Sequence, residues 1–223
     1  MIRTGFNVIK EYPLIGRGRY SYATPVDVRL NNKGQGETRL IKRSPLLEVE
    51  SEDESFARIQ REYTNWTMLK DISLPTIPDF LVDGNIVYTT DISKNGEIIV
   101  LSSSNESLGR DELSSINFPN YIPNEKELLD KLWTVCLQLA KNNLLLTSPN
   151  AFYFTINKRD LSIDVLIGDC KHINKTSLSR LETLKRNTSI AAATFGTIQH
   201  LLKVPKSDAK FYFDSPIKAF FNR

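Results

Sequence analysis

Cysteine and histidine are scarce in this chain, with two of each among 223 residues. The cysteines, Cys136 and Cys170, are too few and too far apart in sequence to favour a disulfide framework. The histidines, His172 and His200, have no metal-ligand spacing with the cysteines and do not support a serine–histidine–acid arrangement. The sequence therefore favours a protein of a reducing compartment, which we expect to be the cytoplasm.

Long apolar runs and basic clusters are also absent. No apolar run approaches the roughly 20 residues that a membrane span needs, and residues 1–10 have no signal-peptide core. The net charge is +3, and no basic run is interleaved with aromatic residues. We therefore expect no membrane span and no nucleic-acid partner. A hydrophobic content of 40% suffices for one sizeable core or for two small lobes.

The first part of the chain alternates short apolar segments with turn residues. We predict strands over 6–15, 22–30 and 37–43, with a hairpin turn at 31–36. Ser51 followed by Glu54 has the pattern of a capping box, and apolar residues then recur at helical spacing up to residue 70. A hairpin at 80–88 and a strand at 97–101 complete this part.

The second part has stronger helical patterns. Residues 102–124 are polar and contain two prolines, which predicts an exposed connection. A helix is expected to begin at Asn124 and to bury a wide apolar stripe. A second hairpin is predicted over 151–167, and two helices and a tail are predicted from Ser177 onward.

Two glycines and a lysine suggest a binding site for phosphate groups. Gly16 and Gly18 follow an apolar segment, and Lys42 ends a later one. Glycines in a hairpin let backbone amides approach phosphate oxygens, because no side chain intervenes. A lysine on the next strand can reach those oxygens as a point charge. The same residues equally suit a plain hairpin turn and an ordinary edge-strand lysine.

The order of these features resembles the protein-kinase superfamily. Its members have a glycine-rich loop, a strand lysine, a helix glutamate, a catalytic loop and an aspartate after a short hairpin. The resemblance spans roughly residues 10–172 and implies an α+β, two-lobed kinase-like fold in a single domain. Residues 1–100 would form a β-rich N-lobe of a five-stranded sheet plus one helix, 101–124 an exposed connection, and 125–223 a shortened, mainly helical C-lobe.

Within that superfamily, the chain looks most similar to the small YrbL-like proteins of the bacterial PhoP regulatory network. The similarity lies in the short C-terminal part and in the opening Pro-Leu-Ile-Gly-Arg-Gly-Arg at 13–19. This narrower resemblance implies a bacterial cytoplasmic protein.

The kinase resemblance implies roles for the candidate site residues. Glu62 would pair with Lys42 and direct it toward the α- and β-phosphates of ATP, whereas Asp169 would ligate a bridging Mg²⁺. The alternatives are a solvated helix acid beside Arg58 or Arg61 for Glu62, and a turn residue or helix cap for Asp169.

Further positions follow from the same resemblance. Asn150 would ligate the same metal, or would form a turn after Pro149. Residues 88–91, with Tyr88 and Asp91 at the ends, would take the place of the hinge whose backbone groups bind the adenine edge.

Several residues depart from the kinase pattern. Ser21 replaces the third glycine, and Leu145 stands where the base aspartate is expected. No acid occurs between Asp130 and Asp160. Asp169 is followed by cysteine and lysine instead of phenylalanine and glycine. Since leucine cannot accept a hydroxyl proton, we expect phosphotransfer to be weak or absent.

Three functions therefore remain open. The retained Lys42, Glu62 and Asp169 favour an ATP- and Mg²⁺-dependent protein with weak or atypical phosphotransfer to a protein or sugar hydroxyl. Leu145 favours a pseudokinase that regulates or scaffolds a protein partner. The third alternative is an α+β binding protein without a nucleotide.

Overall fold

The first half of the chain forms one sheet and one helix. The structure is a computed structural model that describes residues 5–17, 20–30, 37–94, 96–102, 110–210 and 212–214. The elements of this half are β1 (Phe6–Glu11), β2 (Gly16–Arg17), β3 (Ser21–Leu30), β4 (Glu37–Pro45), α1 (Glu52–Asp71), β5 (Phe80–Asp83) and β6 (Ile86–Thr90).

The sheet is antiparallel and follows the order β1-β3-β4-β6-β5, with β2 beside β3. The sequence predicts one strand over 6–15, but β1 ends at Glu11, and Pro13, which has no amide hydrogen, lies in the gap before β2. Tyr12 and Ile15 still donate backbone hydrogen bonds to β3, so the gap is a local irregularity. The turn expected at 31–36 lies outside the described residues.

The two faces of this sheet pack against different neighbours. Val26, Leu40 and Tyr88 form a cluster on one face, together with Val28. On the other face, Phe80, Val82 and Val87 pack against Ile59 of α1. Because neighbouring residues of a strand point to opposite faces, a shift of one position decides whether a side chain meets α1.

Helix α1 begins as the sequence predicts. Ser51 accepts a hydrogen bond from the amide of Glu54, and the Glu54 side chain accepts one from the amide of Ser51. This capping box satisfies two amides that the helix itself leaves unpaired. The buried face of the helix carries Ile59 and Leu69, and also Glu62. A buried carboxylate on that face requires a polar partner.

The second half of the chain holds the larger core. Its elements are β7 (Ile98–Ser102), α2 (Arg110–Ser114), α3 (Glu125–Lys141), β8 (Leu144–Leu146), β9 (Phe152–Asn157), β10 (Ile163–Ile167), β11 (Ile173–Lys175) and α4 (Arg180–Leu202). One small sheet has the order β10-β9-β7, and β8 pairs with β11 in another. Both sheets pack with α3 and α4 around Phe152, Phe154 and Phe195.

Most elements of this half agree with the sequence patterns, but three details do not. The strand predicted at 97–101 pairs with β9 instead of joining the first sheet. The short strands β8 and β11 are not predicted from the sequence. Of the two helices expected after Ser177, α4 takes 23 residues, and the second is reduced to helical residues at 209–210 and 212–214.

Asn187 explains how the short strand β8 is held. Its side chain accepts a hydrogen bond from the amide of Leu146 at 2.8 Å and donates one to the carbonyl of Leu144 at 3.0 Å. Asn187 is fully buried on α4, so it satisfies the free edge of β8 inside the core. Among the described residues, no helix is both long and apolar enough to cross a lipid bilayer.

Candidate functional site

Gly16, the first of the two predicted loop glycines, lies at the end of the first sheet. Gly16 of β2 is paired with Ala23 of β3, and Ala23 is paired in turn with Arg43 of β4. These three residues therefore form one row across three strands, which places the Cα of Gly16 about 10 Å from that of Arg43. Gly18, the second glycine of the prediction, lies outside the described residues.

Lys42 does not make the ion pair that the sequence suggests. Its Nζ atom lies 3.0 Å from Oε2 of Glu11, and on neighbouring strands it is paired with Thr24 and Tyr88. Tyr88 belongs to the apolar cluster on the sheet face opposite α1. Lys42 therefore faces β1, and the expected pair between Lys42 and Glu62 is wrong.

Arg43 takes the place that was expected for Lys42. Its Nη2 atom donates a hydrogen bond to Oε1 of Glu62 at 2.9 Å, and the Glu62 side chain is only 1% exposed. The guanidinium group also lies 5.4 Å from the ring centre of Phe80. The alternation of β4 explains the exchange, since Arg43 points toward α1 and Lys42 points away from it.

Burial and nearby charges shift the pKa of Arg43 in opposite directions. Burial lowers the pKa of its guanidinium group, but the charge of Glu62, its hydrogen bond and the charge of Asp169 outweigh burial, so the pKa is raised. Arg43 therefore remains charged at every working pH. Its Nε atom is buried and finds no acceptor among the described residues. The side chain as a whole is 25% exposed, so guanidinium donors other than Nε are available to an anion.

Asp169 belongs to the same charged cluster. It follows β10 and Gly168, and its side chain is 14% exposed. Oδ2 lies 2.7 Å from Nζ of Lys171 and 3.5 Å from Nε2 of His172. Oδ1 is buried and has no donor among the described residues. The carboxylate therefore already has a cation at one oxygen and is closed off from solvent at the other.

A close contact with Tyr153 explains why glycine precedes Asp169. A Cβ atom at position 168 would lie 2.2 Å from the Tyr153 ring, far inside van der Waals contact. Burial, followed by the charge of Asp169, raises the pKa of the Tyr153 hydroxyl. The tyrosine is therefore neutral, and its ring packs against Gly168 beside the charged cluster.

Helix α1 is bonded directly to the segment that follows Asp169. Nδ2 of Asn65 donates hydrogen bonds to the carbonyls of Cys170, at 2.9 Å, and Ile173, at 2.8 Å. Asn65 lies three residues after Glu62, so one helix holds both the partner of Arg43 and the backbone behind Asp169. The positions of Glu62 and Asp169 are therefore coupled through α1.

The segment 144–150 lies next to this site. Strand β8 pairs with β11, and Thr147 donates from its amide and its hydroxyl to the carbonyl of His172, at 2.9 and 3.0 Å. Leu145 is half-buried, and Asn150 lies in a 3₁₀ turn in which its amide bonds to Ser148. The predicted turn at Asn150 is confirmed, whereas metal ligation by Asn150 stays a prediction.

Tyr88 and Asp91 do not reach the charged cluster with their side chains. Tyr88 is buried and packs edge-on against Phe6, with 4.7 Å between the ring centres. Burial raises its pKa. Asp91 accepts hydrogen bonds from the amide and hydroxyl of Ser93, which makes it a turn residue. Adenine binding through the backbone of 88–91 stays a prediction.

The donor set does not fit a divalent metal as the sequence suggests. No group of three histidine, cysteine or acidic side chains converges within the described ranges, but magnesium at a phosphate site needs only one or two carboxylates, so the fit depends on Glu62 and Asp169. The Glu62 carboxylate is bonded to Arg43, and Asp169 shares its accessible oxygen with Lys171. Magnesium keeps several waters in near-octahedral geometry, so a buried carboxylate oxygen and an ammonium-paired one suit it poorly.

Comparison with solved structures identifies the architecture. The Rio2 kinase from Chaetomium thermophilum, solved as an ADP/Mg²⁺–phosphoaspartate complex, aligns over 93% of this chain with a TM-score of 0.59 and 12% identity. The chain has a protein-kinase-like fold. It spans 61% of the length of that Rio2 structure, and another Rio2 structure gives the same TM-score. The expected mixed α+β kinase-like architecture is therefore confirmed.

A kinase domain from another organism aligns less closely with this chain. The kinase domain of PknI from Mycobacterium tuberculosis aligns over 94% of this kinase-like chain, with a TM-score of 0.48 and 12% identity. No family model and no curated protein matches the sequence.

Three members of the cluster are not predicted from the sequence: Arg43, Lys171 and Tyr153. The alternation of β4 places Ile41 and Arg43 on one face and Leu40 and Lys42 on the other, but the face that meets α1 is set by the long-range register of the sheet. Lys171 stands two residues after Asp169, a spacing that carries no signal without the turn at 170–172. The role of Tyr153 depends on contact with Gly168, which no local pattern reports.

Proposed function

We propose that this chain binds ATP between the glycine hairpin and the charged cluster of Arg43, Glu62 and Asp169. The main support is the Arg43–Glu62 ion pair at 2.9 Å, in a kinase-like fold and in one row with Gly16. In this proposal, Arg43 replaces the strand lysine of ordinary kinases. Its planar guanidinium group can hold Glu62 and phosphate oxygens at the same time.

We further propose that the protein is a non-catalytic, regulatory kinase-like module, as in a pseudokinase. The support is Leu145, which offers no proton acceptor at the position of the catalytic base, and the absence of acids from 131 to 159. Binding of a nucleotide would then favour one arrangement of the segments around the cluster. A protein partner that reads this arrangement is part of the proposal.

Weak or atypical phosphotransfer to a protein or sugar hydroxyl is the second candidate. Asp169 favours it, because the acid stands at the end of β10 beside the cluster. A missing general base typically costs two to four decades of rate, so transfer would be slowed without being abolished. Membership of the YrbL-like branch, a bacterial source and a cytoplasmic location belong to the same proposal, supported by the segment 13–19.

Thermal unfolding with and without ATP tests the binding, and a label-transfer assay then separates the two candidates. We expect ATP at a hundred times its Kd to raise the stability by about 2.7 kcal/mol. A shift without transfer of the γ-phosphate supports the regulatory module, and transfer supports the second candidate. No shift with ATP at any concentration up to 10 mM, roughly the highest practical level, contradicts both.

A further inference from the structure

We propose that the ammonium group of Lys171 takes the place of a divalent metal, so that this chain binds a nucleoside polyphosphate in metal-free form. The inference rests on the proposed ATP site. It is based on the ion pair between Lys171 and Asp169, in which Nζ and Oδ2 are 2.7 Å apart.

The accessible oxygen of Asp169 is already paired with a cation. A magnesium ion that bridges phosphates keeps several waters and binds one or two carboxylate oxygens in near-octahedral geometry. Oδ2 faces the Lys171 ammonium and, at 3.5 Å, the His172 ring. Oδ1 is buried. A divalent ion at Oδ2 would therefore stand beside a positive charge that already neutralises the carboxylate.

The charges of the cluster are balanced by side chains of this chain. Arg43 and Lys171 carry two positive charges, and Glu62 and Asp169 carry two negative charges. The carboxylates are thus balanced by side chains of this chain, and no metal is needed to hold them together.

Lys171 and Arg43 have hydrogen-bond donors for phosphate oxygens. An ammonium group has three hydrogens, and the Lys171 side chain is 40% exposed, so donors remain after Asp169 has taken one. The Arg43 side chain is 25% exposed, and its guanidinium group has five N–H donors, of which one on Nη2 is bonded to Glu62. Arg43 on β4 and Lys171 after β10 are therefore two cations with donors that suit phosphate oxygens.

Calorimetric titration with ATP tests the inference, in EDTA and in excess MgCl₂. Wild-type protein is expected to bind ATP in EDTA at least as tightly as in magnesium. Lys171→Ala should raise the Kd in EDTA roughly ten- to hundredfold, the usual loss for one charged hydrogen bond. Magnesium should restore part of that affinity, because the Asp169 oxygen is then free for the metal.

Two further variants keep the test independent of folding defects. Lys171→Arg retains the charge and should bind ATP in EDTA within about threefold of the wild type. Lys185→Ala removes an exposed lysine of α4 and should leave the Kd unchanged. Binding by the wild type only in magnesium, or an unchanged Kd for Lys171→Ala in EDTA, overturns the inference but leaves the proposed site. The absence of binding in both media overturns both.

Discussion

The buried carboxylate of Glu62 depends on Arg43. Glu62→Gln removes the negative charge and leaves the Arg43 guanidinium group without its partner inside the protein. We expect the free energy of unfolding to fall by about 3 kcal/mol, as is usual for a broken buried ion pair, measured by urea denaturation.

Glu97→Gln is the matched control for this change. Glu97 pairs with Arg159, and both side chains are mostly exposed, at 61% and 81%. Its removal should cost less than about 0.5 kcal/mol. Equal losses for the two variants would contradict the assignment of Glu62 to a buried pair.

Gly168 is required by contact rather than by backbone conformation. Gly168→Ala would place a methyl group 2.2 Å from the Tyr153 ring, and we expect a loss of about 2–3 kcal/mol from overpacking. Gly196→Ala is the control, because nothing lies within 4 Å of a Cβ atom at that helical position. It should stabilise the protein by about 0.5–1 kcal/mol. Denaturant midpoints of the two variants that shift in the same direction would refute this interpretation.

At the scale of elements, α1 is attached to the segment after Asp169 through Asn65. Asn65→Ala removes hydrogen bonds to two carbonyls, and we expect faster hydrogen exchange in 169–175 together with a loss of about 1–3 kcal/mol. Thr64→Ala on the same helix removes only a bond to Gln60 within the helix and should leave exchange in 169–175 unchanged. Unchanged exchange in Asn65→Ala would show that α1 does not hold this segment.

The elements of this chain were largely predictable because their signals are local. The capping box at Ser51 and the apolar stripe of α3 each lie within a few turns of chain and were identified from spacing. Strands β8 and β11 were missed because each has only three residues, too few for a recognisable pattern. In addition, the edge of β8 is hydrogen-bonded by Asn187, which lies some 40 residues after β8 in the sequence.

The sequence selects Glu62 and Asp169, and the structure places both near Arg43. Their role in a functional site, and that of the glycines, stays a prediction. The partner of Glu62 was placed one residue too early, because an apolar Leu-Ile pair before Lys42 does not reveal which face meets α1. Adjacent residues of a strand face opposite sides of the sheet. Only the long-range pairing of β4 therefore determines whether Lys42 or Arg43 faces α1.

At the scale of the whole molecule, paired carboxylates predict sensitivity to acid. A hydrogen bond from Arg58 is the main cause that holds the pKa of Glu50 below its ordinary value of 4.5. A lowered folded-state pKa stabilises the protein above the unfolded-state value, and the stabilisation is lost as pH falls below about 4.5 and through the folded-state pKa. Urea denaturation should therefore give a constant contribution from pH 7 to about 5.5 and a decline below pH 4.5.

Glu50→Gln should flatten that decline, since the variant has no carboxyl to protonate at this position. Glu97→Gln, which removes an exposed acid, should keep the wild-type slope. Identical slopes for wild type and Glu50→Gln would show that Glu50 does not contribute to acid sensitivity.

The kinase-like fold directs the proposed nucleotide to one charged cluster, and a pair of adjacent residues tests that placement most directly. ATP affinity should be compared by calorimetry for Arg43→Lys, Arg43→Ala and Lys42→Ala. We expect Arg43→Ala to raise the Kd roughly ten- to hundredfold, Arg43→Lys to retain part of the affinity, and Lys42→Ala to bind like the wild type. Loss of binding in Lys42→Ala with full affinity in Arg43→Ala would contradict the account.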